Sequence, residues 1–138
     1  MSRSTKRTKR IALVALIALA TACGGDEGSV GPRDVELESV LADPDGHDGE
    51  RLRFRAFYVG SFELSVLTAA LAESYPPQPA EPTIWVEARP RGDCVVSDVG
   101  VTWAEVVAEG VFRYEQGGGF GHLGIHRMQL EGARLACP

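Results

Sequence analysis

His122 and His126 are the two side chains whose type and spacing first suggest chemistry. Imidazoles four residues apart share one side of the chain only in a helix, and the glycines of Gly117–Gly124 oppose a helix at this point. A catalytic zinc site also needs a third protein ligand, and the remaining histidine, His47, lies far upstream. We expect the His122 ring to bond backbone groups in a tight turn. A metal-dependent enzyme centred on His122 and His126 is the weaker alternative.

Two further segments resemble ligand sites only in part. Gly117–Gly124 lacks the GxxxxGK[ST] order of a phosphate loop and opens no predicted helix, so its glycines indicate unusual backbone conformations. An acidic turn begins like a calcium loop but lacks the terminal glutamate, which favours a solvated turn. Its members are Asp43, Asp45, Asp48 and Glu50. The chain also lacks a GxSxG nucleophile motif, so we predict no cofactor, no metal and no enzymatic activity.

Three arginines form a possible binding surface. Arg51, Arg53 and Arg55 alternate with apolar residues, so they share one face of a predicted strand. We expect this face to be solvated and paired with carboxylates such as Glu63, each pair contributing well under about 1 kcal/mol. The alternative is an exported binder of single-stranded nucleic acid or oligosaccharide, in which exposed aromatic rings would add stacking surfaces. The candidate rings are Phe57, Trp85 and Trp103.

The overall charge argues against polyanionic partners. Without residues 1–22, five of the 14 Lys and Arg residues are lost while all 19 Asp and Glu remain, so the formal net charge changes from −5 to −10. Non-specific affinity for nucleic acid comes mainly from neutralising phosphates. A surface of this charge disfavours nucleic acid, and it disfavours anionic lipid headgroups apart from any covalent anchor.

The N-terminus is typical of an export signal. A basic segment precedes the apolar core Ile11–Ala20, whose ten residues are too few for a bilayer span of about 20. Small residues then lead to Cys23, and this arrangement resembles a bacterial lipoprotein signal, although Leu19 lies one place further from the cysteine than is usual. The resemblance implies a cleaved signal peptide (1–22) and a lipid on Cys23. Ordinary cleavage after Ala22 remains the alternative.

The other two cysteines, Cys94 and Cys137, form an even pair in a chain predicted to be exported. An oxidising compartment favours a structural disulfide between them. Such a bond closes a loop of about 44 residues and is worth about 4 kcal/mol on the chain-entropy relation.

The elements that must position these side chains follow from periodicity. Residues 23–33 are predicted to be a flexible tether, and residues 34–138 a folded domain. Asp34 is the predicted N-cap of a short helix that ends before Pro44. Arg51–Thr68 is the most strongly patterned stretch and predicts a β-hairpin broken at Gly60-Ser61. The side chains expected to face inward from the hairpin are Leu52, Phe54, Ala56, Tyr58, Phe62, Leu64 and Val66.

The middle of the chain alternates between irregular and patterned segments. Thr68–Glu73 is compatible with a helical turn, whereas the prolines of Tyr75–Pro82 oppose any regular element. Thr83–Ala88 predicts a third strand. Its Trp85 is expected on the face opposite Ile84, packed under a loop.

Two more strands complete the prediction. A fourth lies within residues 104–115 and bends at Gly110, and a fifth covers Ile125–Leu135 with an irregularity near Gly132. Five strands in a domain of this size indicate one small barrel or sandwich.

Four stretches carry a further resemblance: ESVLADPDGHDGERLRFRAFYV, FELSVL, TIWVEA and GVFRYEQGGGFGHLG. Together they resemble a group of bacterial OB-fold-like domains that have a G-H-[LM]-G motif between the last two strands. The resemblance covers nearly all of residues 34–138 and implies an all-β, five-stranded OB-like barrel with one short N-terminal helix. It implies no established activity.

The predicted function is therefore that of a lipid-anchored, non-catalytic module of the bacterial cell envelope, at the outer membrane or periplasmic face in a Gram-negative cell. The expected partners are the membrane, through the N-terminal lipid, and an unidentified envelope protein or small ligand. Candidate ligand contacts are Arg51, Arg53, Arg55, Trp85 and His122. The first three lie on a strand face where OB-folds often bind ligands.

Overall fold

The computed structural model describes residues 31–138. The predicted signal peptide (1–22), the lipidation site Cys23 and most of the predicted tether (23–33) lie outside these residues. Within 31–138 the chain is mainly β-strand with one short α-helix, and no helix there is long and apolar enough to cross a membrane.

Five strands close into a barrel. They are β1 (Arg51–Gly60), β2 (Ser65–Thr68), β3 (Ile84–Trp85), β4 (Val101–Tyr114) and β5 (Met128–Ala136). The order around the barrel is β1-β2-β3-β5-β4, and β4 pairs back onto β1. All neighbouring strands are antiparallel except β3 and β5, which are parallel. This five-stranded closure confirms the predicted small, all-β OB-like barrel.

The barrel core is built on the period-two pattern of β1. Leu52, Phe54, Ala56 and Tyr58 are all buried, as predicted, and β1 pairs with β4 along its whole length from Arg51 to Gly60. The side chains facing them from other strands include Ile84, Val106, Ala108, Phe112 and Leu130. The alternation works because successive residues of a strand face opposite sides of the sheet.

The α-helix spans Leu37–Ala42 and packs Leu37 and Val40 into the core. The prediction that Asp34 caps it is wrong, because the residue before the helix is Glu36. Asp34 instead belongs to a short strand, Arg33–Asp34, that runs parallel to β1 beside Leu52. Strand pairing holds this segment extended, and the helix begins only where Leu37 can reach the core.

Two predicted irregularities are present in β4 and β5. The pairing of these strands shifts register between Glu109 and Val111, and Gly132 has a φ of 61°. A Cβ on Gly110 would lie 2.8 Å from the Glu131 carbonyl oxygen and 2.8 Å from Leu130 Cγ. Only glycine therefore allows the close approach that bends the long strand around the barrel.

The segment after β2 differs from the prediction. Thr68–Glu73 is not a helical turn, because Leu71–Ala72 pairs with Gln78–Pro79 in a separate two-stranded sheet. The second of these strands lies within Tyr75–Pro82, for which no regular element was expected. The Thr68 hydroxyl donates to the Ala80 carbonyl at 2.6 Å, and this bond draws the two short strands together.

The sulfur atoms of Cys94 and Cys137 lie 2.03 Å apart, at disulfide distance. Cys94 lies in the loop between β3 and β4, and Cys137 directly follows β5. The pair joins the residue after β5 to this loop, whose Cys94 and Val95 also pack against the main core.

Candidate functional site

A second apolar cluster lies outside the barrel core, on the outer side of β1, β2 and β3. Val59, Val66 and Trp85 form this outer cluster, and all three are buried. They are direct cross-strand neighbours, since Val59 pairs with Val66 and Val66 with Trp85. Partly buried side chains cover them: Leu64, Leu71, Val101, Trp103 and Phe120.

The glycine-rich loop, residues 115–127 between β4 and β5, lies on this outer cluster. The rings of His122 and His126 both pack against Trp85, each with a centroid distance of 5.1 Å. The first contact is edge-to-face and the second is tilted by 34°. A backbone bridge between Phe120 and His126 folds the loop back on itself. Trp85 therefore lies under a loop, as predicted, and is only 3% exposed.

Gly121 shows why the loop needs glycine. Its φ is 80°, a conformation that side chains other than glycine rarely adopt. A Cβ there would lie 2.7 Å from Cδ2 of His126 and 3.1 Å from the Trp85 ring. The loop backbone thus lies flat against the two rings, which only a residue without a side chain permits.

The side of the loop away from Trp85 borders an exposed cleft. Phe62 and Glu63, from the turn between β1 and β2, line it together with His122 and Leu123, and its volume is about 340 Å³. Phe62 is 93% exposed and Leu123 is 73% exposed. The prediction that Phe62, Leu64 and Val66 face the barrel core is wrong. Ser61 N donates to the Leu64 carbonyl and turns this segment outward, so that Phe62 is exposed while Leu64 and Val66 join the outer cluster. We call these four residues the loop-end cleft.

Comparison with known proteins identifies no relative. No protein-family model, curated protein or solved structure matches this chain. The likeness to OB-folds therefore rests on the strand order and closure of the barrel.

The arginine face, Arg51, Arg53 and Arg55, lies on the outside of β1 and is paired with β4. Glu109 Oε1 accepts from Arg51 at 2.7 Å, and its Oε2 accepts from Arg53 at 3.1 Å. Arg55 lies 3.4 Å from Glu105. The hydrogen bonds from Arg51 and then Arg53 lower the pKa of Glu109 below 4.5.

The carboxylate partners differ from the one that was named in the prediction. Glu63 forms no ion pair with the arginine face among residues 31–138. Glu105 and Glu109 do, because β1–β4 pairing places Glu109 opposite Arg53 and Glu105 opposite Phe57. Each arginine thus has a carboxylate partner: Arg51 and Arg53 share Glu109, Arg53 also lies 3.9 Å from Asp34, and Arg55 lies near Glu105. Trp85 lies elsewhere, beneath the glycine-rich loop.

The predicted acidic turn uses its carboxylates internally. Asp43 Oδ1 accepts from the Gly46 amide, and Asp48 Oδ1 accepts from the Tyr114 amide at 2.9 Å. Glu50 contacts His47 and Arg33, whose hydrogen bonds lower the pKa of its carboxyl group.

The two loop histidines are held by ring packing. The contact of His122 is with the Trp85 ring, which differs from the backbone bonding that was expected. Among residues 31–138, no three His, Cys, Asp or Glu side chains are grouped so that they could hold a metal ion. Burial lowers the pKa of His126 below 6.5, although the nearby charge of Glu81 raises it.

Phe62 and Leu123 are the site residues that sequence reasoning missed. Leu123 lies in the predicted loop Gly117–Gly124, and a large apolar side chain inside a loop was the available signal. Phe62 directly follows the predicted break at Gly60-Ser61 but was assigned to the inward face of the hairpin. Their proximity depends on the closure of the barrel and could not be inferred from either segment alone.

Proposed function

We propose that this protein is an exported, lipid-anchored binding module of the bacterial cell envelope that holds a protein partner at the loop-end cleft. The observation that carries the proposal is the convergence of Phe62 and Leu123, two strongly exposed apolar side chains from loops about 60 residues apart in the chain. Isolated exposed apolar residues are common on protein surfaces, but adjacent ones from separate loops are typical of interaction sites.

The shape of this surface supports a protein partner over a small ligand. Small-molecule sites are concave and bury most of their ligand. Here Phe62 and Leu123 are strongly exposed, and the cleft that they line with Glu63 and His122 is open to solvent. A side chain of a partner protein can insert between them, and the partner's surface can cover both rims.

The anchored location rests on the N-terminal sequence. The basic segment, the ten-residue apolar core and Cys23 support export and lipidation. The Cys94–Cys137 pair at disulfide distance fits an oxidising compartment. We further propose that the chain belongs with the OB-fold-like domains that its G-H-L-G segment, Gly121–Gly124, resembles.

The alternative functions have less support from the geometry. A nucleic-acid or oligosaccharide binder would need free cations, whereas Arg51, Arg53 and Arg55 each have a carboxylate partner. A metal-dependent enzyme would need ligands that converge on one point, whereas His122 and His126 pack against Trp85.

Site-specific cross-linking in the native envelope tests the binding proposal. A photo-reactive residue at Leu123 of the full chain should form an adduct with a defined partner protein. The matched control is Val96, an exposed apolar residue on the short strand Val96–Asp98 that does not line the cleft. Phe62→Ser should reduce the Leu123 adduct. Equal adducts from both positions, or an adduct indifferent to Phe62→Ser, would contradict the proposal.

Metabolic labelling with a fatty-acid probe tests the anchor. Wild-type protein should carry the label and sediment with membranes, and Cys23→Ser should lose both properties. Unlabelled wild-type protein that begins at residue 23 would show ordinary cleavage after Ala22 and contradict lipidation.

A further inference from the structure

We propose that the glycine-rich loop is a lid that lifts from Trp85 when His126 is protonated, so that the outer cluster extends the apolar surface of the loop-end cleft. The opening itself is a property of the loop. Its use in controlling partner access rests on the proposed function.

The barrel does not depend on the lid. The outer cluster is separate from the main core, and its three members Val59, Val66 and Trp85 are held by the β1-β2-β3 ladder. The main core includes no residue of the loop itself. The loop can therefore leave the outer cluster while the main core keeps its packing, which is the condition for local rather than global opening.

The glycine-rich loop is paired at its base and has glycines with positive φ above it. At the base, the Glu115 amide donates to the Arg127 carbonyl at 2.8 Å and continues the β4–β5 pairing. Above it, Gly118 and Gly124 have φ values of 77° and 63°. Glycines at both sides allow large changes in φ and ψ at low steric cost. The moving segment is residues 116–126, between the paired Glu115 and Arg127, and it includes His126. Gly118 and Gly124 supply backbone freedom within it.

His126 holds the loop closed because it contacts both the loop backbone and Trp85. Its backbone bonds to Phe120 and Gly119 fold the loop, and its ring packs on Trp85. A change in the charge of this one ring therefore acts on the contact that holds the lid against the sheet.

The direction of the pH effect follows from the groups around the ring. Burial against Trp85 disfavours the charged imidazolium and lowers the pKa of His126, which is the largest cause. Glu81, which lines the same groove, opposes this shift. Two further basic side chains lie near this contact: Arg127 lines the same groove, and His122 packs on the same Trp85 ring.

Proton binding to His126 favours the open form of the loop. In the lifted lid His126 is hydrated and its pKa returns towards 6.5, so the open form binds the proton more tightly than the closed form. The closed form is favoured above that pH, and acidification below it shifts the loop to the open form. Each pKa unit between the two forms changes the open-to-closed ratio about tenfold.

Fluorescence of Trp85 tests the lid directly, because the chain has only two tryptophans. In the full chain carrying Trp103→Phe, acrylamide quenching of Trp85 should increase as the pH falls from about 8 to about 5. Adding His126→Phe, which keeps a ring and removes the titration, should leave quenching constant over this range. His47→Gln, a matched change in a histidine outside the loop, should behave like its parent.

Circular dichroism and hydrogen exchange distinguish lid opening from unfolding and from effects of the variants. Far-UV circular dichroism should stay constant over the range, which separates lid opening from unfolding. The protection factors of wild-type residues 117–124, which are exchange rates corrected for the slower chemical exchange at lower pH, should fall as the pH falls. This measurement does not depend on a variant that folds. Trp85 that stays protected, or quenching that rises equally with Phe at position 126, would overturn the proposal.

The experiment needs no partner, so the two proposals can fail separately. A titrating lid with no Leu123 adduct would remove the proposed partner and leave the lid. A defined adduct with Trp85 protected at every pH would remove the lid and leave the binding function.

Discussion

The arginine face and the loop end of the barrel, which carries the loop-end cleft and the glycine-rich loop, differ in whether their side chains have partners within the protein. On the arginine face, Arg51, Arg53 and Arg55 are conspicuous in the sequence but are paired with carboxylates of β4. At the loop end, Phe62 and Leu123 attract little notice in the sequence, yet both project into solvent. Charge that the protein neutralises itself contributes little to recognition, whereas adjacent exposed apolar side chains favour a partner.

The two regions also differ in what holds them in place. The arginine face belongs to the longest pairing of the barrel, β1 with β4. The loop end is held by ring packing on Trp85, by Phe120 against the outer cluster and by backbone hydrogen bonds within the loop. We therefore expect substitutions at the loop end to have large effects on stability where they touch Trp85, and substitutions among the paired charges to have small ones.

The largest effect should come from Trp85→Ala. The change removes the ring that joins the outer cluster to the loop, and buried tryptophan truncations cost about 3–5 kcal/mol. Urea denaturation should show this loss, and hydrogen exchange should show faster exchange across residues 117–124. Trp103→Ala is the control, because Trp103 is only partly buried. Equal losses for the two tryptophans would contradict a special role for Trp85.

Gly121→Ala should have the next largest effect. Both Gly121 and Gly100 have φ near 80°, but a Cβ on Gly121 would lie 2.7 Å from His126 Cδ2, whereas a Cβ on Gly100 meets nothing within 4 Å. Gly100→Ala should cost about 1 kcal/mol from its backbone conformation alone. Gly121→Ala should cost about 1–3 kcal/mol more because of overpacking.

Denaturation of these two glycine variants separates backbone strain from ring contact. Equal losses would mean that the loop does not lie against Trp85 and His126 in solution. A larger loss for Gly121→Ala, together with increased quenching of Trp85, would show that the close approach at this glycine is what seats the loop.

The parts of the fold that could be predicted are those set by local period. The alternation in Arg51–Gly60 predicted the buried face of β1, and glycines at 110 and 132 predicted the irregularities in β4 and β5. Trp85 was expected beneath a loop because it falls out of phase with its apolar neighbours. Each of these inferences needs only the geometry of one strand.

The parts that could not be predicted depend on distant pairing. Glu109 faces Arg53 because of the β1–β4 register, which no local pattern encodes. Val59 was not expected in an outer cluster, since its burial requires Val66 and Trp85 on neighbouring strands. The loop-end cleft likewise requires two loops to meet at one end of a closed barrel.

The pH dependence of stability should separate the two regions. The lowered pKa of His126 makes unfolding free energy fall as the pH drops below about 6.5, because the unfolded chain then binds a proton that the closed loop resists. The lowered pKa of Glu109 keeps its contribution present above 4.5 and removes it as the pH falls through the lowered value.

Two variants test which residue causes the loss of stability in each pH range, below about 6.5 and below 4.5. His126→Gln should flatten the stability curve just below pH 6.5. Glu109→Gln should reduce its slope below pH 4.5, where Glu50 still contributes. Denaturation across pH measures both. A Glu109→Gln variant that alters the upper pH range would contradict the assignment, since the arginine face and the loop would then titrate as one unit.

The smallest effect on stability should come from Phe62→Ser. Comparing it with Arg55→Gln tests which of the two surfaces binds the partner. Because Phe62 is 93% exposed, its removal should change unfolding free energy by less than about 0.5 kcal/mol. Arg55→Gln should be equally mild, since exposed ion pairs contribute about 0.2–1 kcal/mol at most. The two variants should differ only in binding, with loss of the Leu123 adduct for Phe62→Ser and retention for Arg55→Gln. The reverse pattern would make the arginine face the interaction surface.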